Sequence, residues 1–140
     1  MARAEPVSPA IGARLIHTAL MAGVVLFCIV AWYVKDAAPS VELPDRRVLY
    51  ISLAVVSATL FGAAAFTANR LVPPGRGASA DDWWRANLNR AVLIWALVEA
   101  PAMLGTIAYL LPRDFRALLA PFIGLLLFAN YRPSRLTEAE

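Results

Sequence analysis

The chain has one cysteine, one histidine and, in Lys35, one lysine among 140 residues. Cys28 alone cannot close an intrachain disulfide or build a cysteine metal cluster, so cysteine usage does not mark a redox compartment. His17 alone excludes a bis-histidine haem site within the chain. It falls within a turn of Arg14, which reads as an interfacial histidine without special function. Also missing are a phosphate-cradling glycine loop, a metal-ligand spacing and a nucleophile with a histidine base at a plausible depth. No catalytic residue, cofactor or metal follows from the residues.

Charge is scarce as well. Charged residues make up 16% and hydrophobic residues 60% of the chain, and the mean hydropathy is +0.61. A soluble domain of this size would expose far more polar surface. The net charge of +3 is carried by arginines beside apolar windows. Nucleic-acid binding would want a continuous basic face instead.

Between the charge islands lie four apolar windows, residues 15–34, 48–69, 91–111 and 117–131. The expected fold is all-α, a single membrane domain over 1–140 forming an integral membrane four-helix bundle that runs up-down-up-down. Its helices are expected at about 13–35, 46–70, 80–111 and 114–131. The first window exceeds the roughly 7 to 15 apolar residues of a secretory signal, so it reads as a retained helix, with cleavage near 36–38 as the alternative. The fourth is short against the roughly 17 to 25 residues of a spanning helix. It spans if Arg116 snorkels, and otherwise re-enters. Pro39 and Pro44 break the first connector, and Pro121 with Gly124 implies a bend in the last helix. Pro73, Pro74, Gly75 and Gly77 make the long second loop a turn region. After it, Ser79 with Asp82 three residues on resembles a capping box, and Asp81 and Asp82 suit the positive end of a helix. Trp32, Tyr33, Trp83, Trp84 and Tyr131 are read as membrane-interface aromatics, with a docking role for the adjacent tryptophans as the alternative.

Window 91–111 holds one charge, Glu99, almost at its centre, and reaches about 30 Å as a helix. A charge at that depth costs at least about 2.5 kcal/mol unless it is paired, hydrated or neutralised. Glu99, Ala102, Thr106 and Tyr109 fall near one helix face, and Ala96 and Ala100 flank the acid with small side chains. Pro101 frees the Leu97 carbonyl beside it. In the second window Ala54, Ala58 and Gly62 share a face that permits close helix packing. Ser52, Ser57 and Thr59 could donate to the acid or back-bond to their own helix. Glu99 therefore reads as an interhelical fastener, as an ion site with Pro101 and Thr106, or as a contact for a partner subunit.

Residues 90–111, RAVLIWALVEAPAMLGTIAYLL, resemble the carboxylate helix of the proteolipid, or c, subunits of rotary ATPases. There an acid among small residues, often near a proline, binds the transported proton or sodium ion. The resemblance implies that role for Glu99, with Pro101 nearby. It covers one helix; the repeated glycines of an inner ring helix and a short polar hairpin are not found here.

Arginine and lysine number eight beside the termini and second loop, against five in the first and third loops. That bias puts both termini in the cytoplasm, and the arginine- and alanine-rich compactness points to a bacterial inner membrane. The functional expectation is a non-catalytic membrane protein whose partners are the lipid bilayer and either other membrane subunits or itself, with no nucleic acid. The alternative is a proton- or sodium-translocating protein using Glu99. An enzyme acting on lipid headgroups at the arginine-rich face is a third class.

Overall fold

The computed structural model describes residues 8–37, 45–75 and 79–137, which are helical with short connections. Most of the amino-terminal arm, Pro39, Pro44 and Gly77 lie outside the described residues.

Local chemistry sets each helix start. α1 (Pro9–Val34) opens on a proline, whose ring presets the helical φ and whose missing N–H would have been unpaired anyway. It begins four residues earlier than the expected 13 because its first donors find a remote acceptor. The Ser8 hydroxyl donates to Asp81 Oδ1 at 2.6 Å, and the Ala10 N–H donates to the same oxygen at 3.3 Å. α2 (Arg46–Ala68) is capped by Asp45, which accepts from the Arg47 and Val48 N–H groups. α3 (Ala80–Leu110) begins as the capping-box spacing requires, with Ser79 Oγ accepting from the Asp82 N–H at 3.1 Å. Arg113, at φ 54°, turns the chain after α3. Asp114 then caps a 3₁₀ turn, Phe115–Leu118, that leads into α4 (Leu119–Asn130). A short α5 (Pro133–Thr137), not foreseen from the sequence, follows.

α1, α2 and α3 are long and apolar enough to cross a membrane, and Phe115–Asn130 is a shorter apolar segment. Much of the exterior is hydrocarbon, including Leu26, Val55, Leu119 and Phe122.

α3 is the hub. Half of its apolar window is buried, against 17% for α1 and 11% for α2. α1 runs beside it in the same direction, pairing Ser8 with Asp81 at one end, and Cys28 with Thr106 and Trp32 with Tyr109 toward the other. α4 runs the opposite way, so Ala120 meets Gly105 and Gly124 meets Ala102. α2 also packs on α3, but α1 and α2 share no substantial contact. One face of α3 is therefore uncovered: Leu93, Ala96, Ala100, Leu104 and Ile107 are exposed along it.

The tightest seam joins α3 to α4. A Cβ at Gly105 would lie 2.7 Å from Ala120 Cβ and from Pro121 Cδ and 2.8 Å from the Ala117 carbonyl oxygen. Small residues on both sides let the backbones approach, the usual device for helix pairs when hydrophobicity does not distinguish inside from outside.

Two expected interface aromatics are interior instead. Trp83 and Trp84 are 8% and 3% exposed. The Trp83 Nε1–H donates to the Val72 carbonyl at 2.7 Å, and Trp84 packs against Trp83 and Trp95. The loop after α2 and the start of α1 wall in the first turns of α3, so the indoles find their acceptors and neighbours inside the fold. Trp32 and Tyr33 are exposed near the end of α1 and Tyr131 is half-buried after α4.

Candidate functional site

Glu99 sits at the edge of the uncovered face of α3, half-buried, with exposed Ala96 and Ala100 beside it. Among the described residues no hydrogen bond or ion pair reaches its carboxylate. The interhelical fastener is therefore not formed among the described residues. Of the hydroxyls on α2 that could have supplied it, Thr59 Oγ1 donates to the Val55 carbonyl at 2.8 Å, Ser52 is exposed, and Ser57 Oγ is buried without a hydrogen-bond partner among the described residues. Thr59 thus back-bonds to its own helix.

Pro101 and Thr106 are both fully buried. Thr106 lies seven residues beyond Glu99, about 10 Å along the axis. Its hydroxyl donates to the Ala102 carbonyl at 2.9 Å and lies 3.3 Å from Cys28 Sγ. The structure does not bring Glu99 and Thr106 together around one ion. Pro101, which cannot donate to the Leu97 carbonyl, faces the buried side of α3.

The small residues singled out for packing also point outward. Ala54, Ala58 and Gly62 are exposed on α2, and a Cβ at Gly62 would meet nothing within 4 Å. Within the chain, α2 buries Ser57 and Ala64 instead.

A second constellation surrounds His17, which is buried in the fold at 6% exposure. Its Nε2 lies 3.0 Å from the Phe128 carbonyl oxygen. Because a carbonyl only accepts, the hydrogen-bonding tautomer carries its proton on Nε2. The ring meets Trp95 and Phe128 edge-on at 5.1 and 5.6 Å, and the Trp95 Nε1–H donates to the Tyr131 carbonyl at 2.8 Å. A helix end leaves its last carbonyls without intrahelical donors. His17 and Trp95 supply two at the end of α4, locking α1, α3 and α4 together. The sequence signal was available in two places: a tryptophan N–H inside an apolar window needs an acceptor, and Gly105 and Gly124 mark close backbone approach. The arrangement is structural, since both polar atoms are spent on main-chain oxygens.

At the opposite end, Asp114 is held below the usual carboxylate range, first by the Arg116 backbone N–H that it accepts and then by the facing Tyr50 hydroxyl. Asp36, fully exposed, is likewise lowered, first by its hydrogen bond from Lys35.

Among the described residues no group of three or more His, Cys, Asp or Glu side chains could hold a metal ion. The geometry therefore offers one unsatisfied acid on an open helix face, not a constellation for bond-making chemistry. Comparison with protein-family models, with curated proteins and with solved structures finds no match to this chain.

Proposed function

We propose that the chain is a four-pass integral membrane protein that acts as a non-catalytic subunit of a larger membrane assembly, docking through the open face of α3. The observation that carries this reading is Glu99, half-buried at the edge of that face with no partner among the described residues. A carboxylate at the bilayer centre costs about 2.5–3.5 kcal/mol on insertion scales. A partner helix that donates to it lowers that cost. Ala96 and Ala100 beside the acid leave room for such a helix, as small residues do at membrane helix interfaces. The charge bias of the loops supports cytoplasmic termini.

The test is cross-linking from the open face. With Cys28 replaced by Ser, Ala96→Cys and Ala100→Cys in native membranes should each couple to a second polypeptide, either another copy or a co-purifying subunit. Glu99→Ala should reduce that coupling. A bare monomer in mild detergent whose residue 99 reacts freely with aqueous carboxyl reagents would sink the proposal.

The rotary-ATPase resemblance makes the same carboxylate an ion carrier. That reading requires carbodiimide labelling of Glu99 blocked by sodium or high pH, and Glu99→Gln that assembles normally yet exchanges no ions.

A further inference from the structure

A groove of about 230 Å³ lies between α2 and α3, walled by Leu49, Leu53 and Val56 on one side and Leu104, Ile107 and Leu111 on the other. Its one polar lining side chain is Ser52. Leu49 to Val56 spans about 10 Å of helix. The walls are hydrocarbon over that length, the kind of surface an acyl chain packs against.

Its mouth is cationic. Arg46 and Arg47 open α2 one turn before Leu49, and Arg116 lies in the 3₁₀ turn after α3. All three are exposed. Arg46 and Arg116, seventy residues apart in sequence, both bear on Asp114, so the two guanidinium groups converge at this end. Two carboxylates lie at this end as well, Asp45 capping α2 and Asp114 capping the 3₁₀ turn, and the three arginines outnumber them. The positive end of the α2 dipole adds to the field.

We propose that this groove binds an anionic glycerophospholipid, with one acyl chain between α2 and α3 and the phosphate against Arg46 and Arg116. A second copy of the chain is a poorer occupant. A two-fold axis along the membrane normal would set the same arginines of both copies side by side at the same depth. The groove lies further along α3 than Glu99 and shares Leu104 and Ile107 with the open face, so the lipid sits over those two residues and the proposed partner helix over Ala96 and Ala100.

The test is native mass spectrometry of the full chain in mild detergent with phosphatidylglycerol and phosphatidylcholine of identical acyl chains. One phosphatidylglycerol should be retained with at least about tenfold preference, as expected where several basic residues face an anionic headgroup. Arg46→Gln/Arg116→Gln should bring the preference to about parity, and the rim substitution Ser52→Trp should lower retention of both lipids with helicity unchanged. Arg90→Gln/Arg132→Gln, at the other end of the molecule, should leave retention as it was. The proposal is overturned by equal retention of the two lipids, by loss of the bound lipid only in the Arg90/Arg132 variant, by a Ser52→Trp protein that retains lipid normally, or by a disulfide between copies through Ser52→Cys.

Discussion

The two sides of α3 carry similar side chains and have opposite fates. On one side Ala102, Gly105 and Thr106 are buried against α1 and α4; on the other Ala96 and Ala100 are exposed around Glu99. Hydrophobicity does not separate them. What separates them is the availability of a matching surface: Gly105 and Gly124 meet residues of the facing helix, whereas none of the described helices covers the Ala96 side. Small residues therefore permit close packing without saying which partner uses them.

The comparison breaks most readily at the closed seam. Gly105→Ala puts a methyl group within 3 Å of Ala120, Pro121 and the Ala117 carbonyl, and the main-chain oxygen cannot swing aside. We expect a loss of about 2–3 kcal/mol, read as a lower unfolding midpoint in detergent. Trp95→Phe strands the Tyr131 carbonyl and should cost about 1–3 kcal/mol, with His17→Phe falling in the same range; additive losses in the double variant would show that the two donors do not form one lock.

Asp114→Ala should cost about 1 kcal/mol or less, because the cap is at the surface. The sign of its pH dependence is fixed by the lowered carboxyl: its folded value lies below its unfolded one, so its contribution is full at neutral pH. It is lost as pH falls through the ordinary carboxylate range toward the folded value. Thermal scans of wild type and variant should begin to approach one another as the pH falls below about 4. Smallest is Gly62→Ala on the open exterior of α2, where no atom waits within 4 Å; a gain of about 0.5 kcal/mol from helix propensity is expected. A clear loss there would show that this surface is covered in the working protein.

The positions of α2 and α3 were legible in the sequence because length, charge islands and caps are local properties, whereas the fourth helix, expected from 114, starts at Leu119 after a 3₁₀ turn. The 46–70 and 80–111 expectations end within two residues of α2 and α3, and Ser79 caps as its spacing to Asp82 required. Helix faces were not legible. When both the exterior and the interior are apolar, periodicity loses its contrast, and Ala54, Ala58 and Gly62 look as ready to pack as Gly105 and Gly124 do. Trp83 and Trp84 misled for a related reason: an indole suits a headgroup layer and a walled interior equally well, and only the return of the loop through Val72 decides between them. The position of Glu99 on its helix was readable; its lack of a partner depended on where α1 and α2 stand.

The parallel alignment of α1 with α3 also bears on the order of assembly. α1 has no substantial contact with α2, the next helix made, and its buried residues Ala13, His17, Val24 and Ala31 face surfaces encoded some seventy or more positions later. The first hairpin to leave the ribosome thus has almost nothing to hold it shut. α1 must wait, unpaired with another helix, until synthesis delivers α3, on which it rests.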